Sequence, residues 1–389
     1  MREQYAQLRH GQLIYGRGSI EFLSALGKKR AAVVYDGRLL DESGKSELAA
    51  TLAVGGAETL FAADIRNEPF FSDILQTLKE IRSYKPDLIV AFGGGSVIDA
   101  AKAAWLFYEN PDLSLEDALK PYQIPACGRS ILVAIPTTSG TGAETTCCSV
   151  FTNQENMEKR LILGHGITPA YAILDADFTD SMPPTIAAHT GMDALSHAME
   201  AAVCKESSPM VVGIALAAAV DILENLPTSV NAKSAGAEKA LAREICHYSA
   251  TLAGIAINNA SAGLVHALDQ VGPYFNLPHG LVCGLLLPYA TAFHSPHPIY
   301  AKLSRRLGYT GDETELCHKL AVHLQAFCEE IGIARSFGEL GIEESAFMEK
   351  LDDFADAAVN SYSAAISPQK PTHEEACSLL CTAFHGKNL

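Results

Sequence analysis

The chain has 389 residues, of which 48% are hydrophobic, and its formal net charge is −16 at pH 7 with a pI near 5.2. This acidic balance argues against nucleic acid and anionic membrane surfaces as partners, because both need a basic face. The length allows two domains of ordinary size. The ten cysteines follow no zinc-ribbon spacing, although Cys377 and Cys381 are one helical turn apart, so we expect reduced thiols and a cytoplasmic location.

Short runs of β-branched residues alternate with helical patterns in the first half of the chain. The predicted strands cover residues 12–15, 31–35, 58–61, 87–92 and 130–135. The predicted helices cover residues 19–27, 43–53, 71–84 and 97–107, and Ser19 is expected to cap the first of them. This alternation predicts a parallel sheet with helices on both faces.

The second half of the chain has a different character. From about residue 182 the sequence is rich in Ala and Leu with helical periodicity, and no clear strand signal returns. We therefore predict an α/β domain over residues 1–180 and an all-α domain over residues 181–389. The longest apolar run, Val211 to Val220, stops at Asp221 and is too short to span a bilayer.

The segment Gly93-Gly94-Gly95-Ser96 joins a predicted strand to a predicted helix. Glycines let the backbone approach a ligand closely, and a helix N-terminus offers free N–H groups to an anion such as a pyrophosphate. A tight turn alone would need one glycine rather than three in a row. The segment is neither Gly-x-Gly-x-x-Gly nor a Walker loop, so neither of those common motifs applies.

A second loop, from Pro136 to Glu144, is rich in hydroxyl groups and glycines. The hydroxyls of Thr137, Thr138 and Thr141 suit phosphate and nicotinamide groups, and the alternative is a simple Ser/Thr-rich turn. Two such loops in one domain predict a dinucleotide ligand. Asp36 ends the second strand, where a carboxylate can bind the ribose hydroxyls of NAD and repel the 2′-phosphate of NADP, unless it only begins a turn.

The second half contains a group of residues suited to a metal ion. Asp193 and His197 are four residues apart, so one face of a helix presents both side chains. The alternative is a hydrogen-bonded Asp–His pair without metal. His266 and His279 extend the pair to three imidazoles and one carboxylate. Such nitrogen and oxygen ligands suit Fe(II), Zn(II), Mn(II), Co(II) or Ni(II), and no thiolate is present in the set to favour zinc.

Four motifs occur in an order that resembles the iron-containing (group III) alcohol dehydrogenases over nearly the whole chain. They are Gly-Gly-Gly-Ser, Pro-Thr-Thr-x-Gly-Thr-Gly-x-Glu, Gly-Met-Asp-Ala-Leu-x-His-Ala-x-Glu and Pro-His-Gly. The resemblance implies a dinucleotide-binding α/β domain followed by a helical metal-binding domain, as in dehydroquinate synthase-like proteins. It implies Fe(II) as the first-choice metal, with the ligands Asp193, His197, His266 and His279. It also implies a set of cofactor contacts, namely Asp36, Asn67, Gly94, Gly95, Ser96, Thr137, Thr138 and Lys159.

Two departures from the family pattern lie around the third metal ligand. The segment from His266 to His279 is one residue shorter than in most members, and a histidine that many members carry four residues after the third ligand is missing. The sequence there reads Asp269-Gln270. Either His266 keeps its place and the following loop is tighter, which we favour, or Asp269 or a water replaces it. Gly263 and Gly272 are expected to supply the backbone flexibility, and Asp269 is a candidate for moving a proton.

Three functions fit these residues. The first is an NAD-dependent (NADP less favoured) dehydrogenase that interconverts a small alcohol and its aldehyde or ketone with the help of a Lewis-acid metal. The second is a dehydroquinate synthase-like lyase or cyclase, which needs several basic residues at its substrate, whereas residues 182–280 hold only Lys205, Lys233, Lys239 and Arg243. The third is a nucleotide-binding protein without catalysis. We expect a homodimer or a higher homo-oligomer.

Overall fold

A computed structural model describes residues 7–154, 158–231 and 233–389 of the chain. They divide into two units, the first ending at Ser181 and the second beginning at Met182. The first unit contains all the strands of the described residues, and the second is built from helices alone. The predicted combination of an α/β unit with an all-α unit is confirmed.

The first unit is organised around a sheet of six parallel strands in the order β1-β8-β5-β4-β2-β3, with a separate antiparallel pair formed by β6 and β7. The strands are β1 (Gln12–Tyr15), β2 (Arg30–Tyr35), β3 (Glu58–Asp64), β4 (Leu88–Gly93), β5 (Ile131–Pro136), β6 (Cys148–Asn153), β7 (Glu158–Leu163) and β8 (Tyr171–Leu174). The helices are α1 (Glu42–Val54), α2 (Phe71–Tyr84), α3 (Gly95–Glu109) and α4 (Leu115–Ala118), with 3₁₀ turns at Ser19–Leu26, His165–Ile167 and Ala176–Thr179.

Both faces of this sheet are buried, because successive side chains of a strand point to opposite faces. Ala32, Ile89 and Ala134 belong to the apolar cluster that also contains residues of α2 and α3. Val33 and Val90 belong to a second cluster, which contains residues of α1 and of the first 3₁₀ helix. The near-continuous apolar sequences of β2 and β4 follow from burial on both sides.

Three details of the first unit differ from the sequence-based prediction. The pair β6 and β7 was not predicted, because β7 begins with three charged residues, and the four-residue strand β8 was not predicted either. The expected cap at Ser19 is wrong. Gly18 is the N-cap, with φ 74°, and the carboxylate of Asp175 accepts hydrogen bonds from the N–H groups of Gly18 and Ile20. A residue distant in sequence therefore caps this turn, which no local pattern indicates.

The second unit consists of helices packed around a large apolar cluster. They are α5 (Pro184–Val203), α6 (Pro209–Val230), α7 (Gly236–Asn258), α8 (Leu264–Leu268), α9 (Val271–Tyr274), α10 (His279–Phe293), α11 (Pro298–Arg306), α12 (Glu313–Glu330), α13 (Glu344–Asn360), α14 (Tyr362–Ile366) and α15 (His373–His385). α5 is the central helix, since it packs against α6, α7 and α10 and is buried along most of its length.

The apolar run from Val211 to Val220 was judged too short to span a bilayer, but the helix α6 that contains it has 22 residues and is long and apolar enough to do so by length and composition alone. It packs against α5 and α7, and the side chains of Leu216, Ile222 and Leu226 are buried in the apolar cluster. A core helix of a folded protein has the same composition, so the apolar character of α6 is explained by its place in the second unit.

Candidate functional site

The helix α5 carries the first two predicted metal ligands. Asp193 and His197 lie one turn apart, and their residues are only 3% and 7% exposed. Their reactive atoms face each other, with the Nε2 atom of His197 3.4 Å from the Oδ1 atom of Asp193. The flanking residues Ala194, Leu195 and Ala198 are good helix formers, so the helix runs through the core while it presents two polar side chains on one face.

Two further imidazoles converge on the same carboxylate oxygen. His266 lies in the short helix α8, and its Nε2 atom is 3.8 Å from the Oδ1 atom of Asp193. His279 is the first residue of α10, and its Nε2 atom is 3.3 Å from that oxygen. The rings of His197 and His266 are stacked, with centroids 4.8 Å apart. The four residues proposed as a ligand set are thus neighbours in the structure.

The spacing of these atoms fits a divalent metal ion. In a tetrahedral site with metal–ligand bonds of about 2.0–2.2 Å, two ligand atoms lie about 3.4 Å apart. The three distances to Asp193 Oδ1 are close to this value. This oxygen and the Nε2 atom of His266 are both buried, and neither has a hydrogen-bond partner among the described residues. Unpartnered buried polar atoms are costly, and a bound cation would satisfy both.

Two carboxylates behind the imidazoles orient them. The Nδ1 atom of His266 is 2.5 Å from Oε2 of Glu200, and the Nδ1 atom of His279 is 2.5 Å from Oδ2 of Asp269. A carboxylate that accepts a hydrogen bond from Nδ1–H fixes the proton on that nitrogen and leaves the Nε2 lone pair free for a metal. Glu200 was not predicted to have this role, although it lies on the face of α5 that carries Asp193 and His197, seven residues after the first.

Glycines make room for these carboxylates. A Cβ atom on Gly263 would lie 2.9 Å from Oε1 of Glu200, and a Cβ atom on Gly272 would lie 2.5 Å from Oδ1 of Asp269. Neither glycine has a positive φ angle. Both positions therefore require the absence of a side chain rather than a special backbone angle, and the expected flexibility stays a prediction.

Electrostatics at the centre favour a cation. Burial opposes the charged form of Asp193, but His197 and His279 outweigh it, and the pKa of this carboxyl lies well below its ordinary value. Burial lowers the pKa of His197 to about 4, so this ring is neutral at pH 7. Burial also disfavours the charged forms of His266 and His279, but the carboxylates beside them raise both pKa values. A metal ion would displace those protons.

A thiol lies beside the centre, although the sequence analysis placed no sulfur there. Cys283 follows His279 by one turn of α10, and its Sγ atom is 3.6 Å from His279 Nε2. The thiol, Asp193, His266 and His279 each offer one donor atom within 4.8 Å of the others. Burial raises the pKa of the thiol, so the sulfur is protonated at neutral pH. The spacing of four from His279 was the signal available in the sequence.

In the first unit, the two glycine- and threonine-rich loops are neighbours, because they follow the adjacent strands β4 and β5. A Cβ atom on Gly94 would lie 3.3 Å from the side chain of Thr138, and one on Gly95 would lie 2.8 Å from Thr141. Both glycines therefore allow the two loops to approach each other. The loops together form one polar surface at the start of α3.

Unpaired polar groups at this surface suit a phosphate-containing ligand. The N-cap of α3 is Gly94, which has no side chain to bind the free N–H groups of the first turn, where Ser96 also lies. The N–H group of Thr137 donates to the carbonyl of Gly93. The hydroxyl of Thr137 is buried and, in the described part of the chain, has no hydrogen-bond partner.

Asp36 lies at the carboxyl end of β2, as predicted, but it already has a partner. Arg38 donates to both oxygens of Asp36, from Nε at 2.9 Å and from Nη2 at 2.6 Å. The pair is half-buried, since the carboxylate side chain is 9% exposed and the guanidinium side chain is 55% exposed. In the neighbouring pair, Nε and Nη2 of Arg66 both donate to Oδ2 of Asp64. Two guanidinium groups that the sequence analysis did not consider therefore lie beside the proposed ribose site.

The other two predicted cofactor contacts lie near each other. Asn67 is exposed in the loop after β3, and Lys159 lies in β7. The Nζ atom of Lys159 is 3.3 Å from Oε2 of Glu68. The other oxygen of Glu68, Oε1, accepts a hydrogen bond from the hydroxyl of Thr152. Glu68 thus joins the loop of Asn67 to the β6–β7 pair. The structure holds both residues on one side of the first unit.

An α/β unit with paired dinucleotide-type loops, followed by a helical unit with a metal-type centre, is typical of metal-dependent dehydrogenases. The chain belongs to the iron-containing alcohol dehydrogenase family. A family model described as "Iron-containing alcohol dehydrogenase" matches residues 11–176, and one described as "Fe-containing alcohol dehydrogenase family, C-terminal" matches residues 187–384. The family that the four sequence motifs indicated is confirmed.

Individual relatives are similar over nearly the whole chain. An NADPH-dependent butanol dehydrogenase of Clostridium saccharobutylicum is 33% identical, and the match covers 96% of each chain. The solved structure of an iron-containing alcohol dehydrogenase from Thermococcus thioreducens has a TM-score of 0.89 and 32% identity, and the match covers 98% of this chain and 100% of that one. A sulfoacetaldehyde reductase from Bifidobacterium kashiwanohense, solved with NAD⁺, has a TM-score of 0.85 and 26% identity, covering 98% and 99%.

Proposed function

We propose that this protein is a metal-dependent alcohol dehydrogenase that interconverts a small alcohol and its aldehyde or ketone, with NAD as the preferred cofactor. The observation that carries the proposal is the convergence of three imidazole Nε2 atoms on one oxygen of Asp193, at 3.3–3.8 Å. Fe(II) is the proposed metal, in keeping with the family. Zn(II), Mn(II), Co(II) and Ni(II) are alternatives that the same nitrogen and oxygen donors accept.

The helical unit holds and orients the proposed cation. Asp193, His197, His266 and His279 are its ligands, and when bound the cation supplies a Lewis acid that polarises the oxygen of the alcohol or carbonyl substrate. His279 is the most exposed of the three imidazoles, with 39% of its side chain accessible. We therefore expect substrate to approach from the side of His279. The other two rings are enclosed by the core.

The α/β unit holds the dinucleotide. The free N–H groups at the start of α3, around Gly94, Gly95 and Ser96, bind the pyrophosphate. The hydroxyls of Thr137, Thr138 and Thr141 orient the nicotinamide half, while Asn67 and Lys159 complete the contacts. Asp36 binds the hydroxyls of the adenosine ribose.

A proton must also leave the alcohol when it is oxidised. The imidazole that many family members carry at position 270 is replaced here by Gln270, whose amide does not titrate near neutral pH. Asp269 lies next to that position, but its Oδ2 atom is 2.5 Å from Nδ1 of His279, a contact that orients this imidazole. We therefore assign Asp269 a positioning role rather than the relay role considered from sequence. With no titratable side chain at position 270, the proton would reach solvent through water.

The competing functions are less well supported by the contacts of the basic residues. A lyase or cyclase of the dehydroquinate synthase type would need cations at its substrate. Arg243 is buried and donates to the carbonyl of Met182, and Lys205 donates to the carbonyl of Ala365. Lys239 donates to the carbonyl of Asn231. A non-catalytic nucleotide-binding protein would have no need of the carboxylate–imidazole pairs behind the metal centre.

The test begins with protein freed of metal by chelation and reloaded anaerobically with one divalent metal at a time. Reduction of NAD and NADP is followed at 340 nm with a panel of primary alcohols, secondary alcohols and diols. The proposal predicts activity only after reloading. Full activity in the presence of a chelator, or no turnover with any alcohol or aldehyde in the loaded enzyme, would contradict it.

We also infer a cytoplasmic location and a homo-oligomeric state. All ten cysteines lie among the described residues as free thiols, which suits a reducing compartment. Size-exclusion chromatography with light scattering tests the oligomeric state, and a monomer at micromolar concentration would contradict it.

A further inference from the structure

We infer a second metal site, specific for a zinc-type cation, on the surface formed by α13 and α15. Its ligands are Asp352 and Asp356 on α13 and His373 and Cys377 on α15. Each helix contributes two side chains that are four residues apart, so both pairs lie on one face of their helix. The two helices pack against each other. This site is independent of the centre formed by α5, α8 and α10.

The distances between the donor atoms match those of a tetrahedral zinc site. The Nε2 atom of His373 is 3.4 Å from Asp356 Oδ1 and 3.7 Å from Asp352 Oδ1. The Sγ atom of Cys377 is 3.8 Å from Asp352 Oδ1. With zinc bonds of about 2.3 Å to sulfur and about 2.0–2.2 Å to nitrogen or oxygen, the corresponding separations are about 3.4 Å for N–O and about 3.6 Å for S–O. Asp352, His373 and Cys377 each offer one donor atom within 4.8 Å of the others.

The charge balance of the cluster also favours a dication. Within the described residues, neither Asp352 nor Asp356 has a Lys or Arg nitrogen within ion-pair distance, and the ion pair that each forms is with His373. The nearest basic residue on α13, Lys350, is paired with Asp353 instead. Two carboxylates are therefore left without a permanent cation, and like charges this close repel each other. A divalent ion would relieve that repulsion.

The combination of ligands selects the class of metal. Oxygen ligands alone would suit Mg²⁺ or Ca²⁺, whereas an imidazole and a thiol favour Zn²⁺ or Co²⁺. Four side chains are enough to complete a closed tetrahedral site, as in zinc sites that stabilise a fold rather than catalyse. The site would fasten α15 to α13, and we expect it to raise stability without entering the reaction.

The experiment counts zinc equivalents in the full-length protein. Metal-free protein is titrated with Zn²⁺ against a chromogenic chelator, in the wild type and in the variants Cys377→Ser and His373→Ala. Cys381→Ser is the matched control, because Cys381 lies one turn further along α15 and its Sγ atom contacts Met348 instead, at 3.9 Å. We expect the two site variants to bind one equivalent fewer than the wild type, and the control to bind the full number.

A second readout follows the thiols directly. Alkylation of Cys377, measured by peptide mass spectrometry, should slow by about tenfold or more in saturating Zn²⁺, while alkylation of Cys381 should not change. Equal zinc stoichiometry in all four proteins, or alkylation of Cys377 that zinc does not slow, would overturn the inference. Because Cys377→Ser leaves the α5 centre intact, its loss of one equivalent would stand even if the proposed dehydrogenase activity failed its own test.

Discussion

The Nδ1 atom of His279 lies 2.5 Å from the Oδ2 atom of Asp269. The carboxylate fixes the ring so that its other nitrogen faces Asp193, 3.3 Å away. Glu200 does the same for His266. The proposed metal centre would therefore have two layers, with imidazoles as ligands of the cation and carboxylates that hold the imidazoles in place.

Removal of the carboxylate behind His279 should weaken metal binding without removing a metal ligand. We expect Asp269→Ala to reduce metal affinity by about 10–100-fold, the usual effect of losing such a partner. Asp269→Asn should lose less metal affinity, because its amide oxygen can still accept the hydrogen bond from Nδ1–H of His279. Competition titration with a chelator measures both constants. Wild-type affinity in Asp269→Ala would show that the pair has no positioning role.

The glycines beside the two carboxylates should tolerate no side chain. Gly272→Ala would place a methyl group 2.5 Å from Oδ1 of Asp269 and so displace it, and we expect a loss of metal affinity similar to that of Asp269→Ala. Gly263→Ala should act in the same way through Glu200. Gly213→Ala is the control, since a Cβ atom there meets no other atom within 4 Å. Metal dissociation constants that are equal in all three variants would contradict this account.

Much of the centre could be predicted from sequence because its signals are local. The spacing of Asp193 and His197 is a helical repeat, and the Pro-His-Gly turn marks the start of α10. The roles of Glu200 and Asp269 depend on contacts between residues 66 and 10 positions apart. No periodicity reports such contacts. The sequence left the position of His266 open because the loop after it is short, and the ring of His266 in fact stacks on that of His197.

The same limit applies to the α/β unit. Alternation of apolar strands and helices was enough to predict the parallel sheet, because burial on both faces leaves a clear pattern in β2 and β4. The pairing of Arg38 with Asp36 depends on side-chain conformation, and it changes how the cofactor specificity should be tested.

Cofactor preference should depend on the pair formed by Asp36 and Arg38. In the wild type, Arg38 is neutralised by Asp36, so we expect NAD to be preferred. Asp36→Gly removes the repulsion of the 2′-phosphate and frees the guanidinium to bind it, which should raise the NADP-to-NAD ratio of kcat/KM by about tenfold or more. The double variant Asp36→Gly with Arg38→Gln should show a smaller rise.

Steady-state kinetics with both cofactors decides the matter. An unchanged ratio in Asp36→Gly would reduce Asp36 to a turn residue. A wild-type enzyme that already prefers NADP would contradict the proposed NAD specificity directly.

Acid should destabilise the protein through a buried histidine outside the metal centre. Burial lowers the pKa of His294 from 6.5 to about 4, and its Nε2 atom is 3.1 Å from the carbonyl oxygen of Gln369. The folded protein keeps this ring neutral, whereas the unfolded chain takes up a proton below its ordinary pKa. The contribution of neutral His294 to the free energy of unfolding is therefore complete above pH 6.5. It is lost as the pH falls toward 4, with a slope of up to about 1.4 kcal/mol per pH unit.

Chemical denaturation of metal-free wild type and His294→Asn over this pH range measures the effect. The asparagine amide does not titrate, so the stability of the variant should fall less steeply with pH. Parallel curves for the two proteins would contradict the assignment.

The central claim, that three imidazoles and Asp193 hold one catalytic metal, is tested most directly by the metal content of His266→Ala beside that of Asp269→Asn. Elemental analysis after reloading with Fe(II) should find about one equivalent per chain in the wild type and in Asp269→Asn, and far less in His266→Ala, because only the latter loses a ligand. Metal retained by His266→Ala and lost by Asp269→Asn would contradict the ligand set.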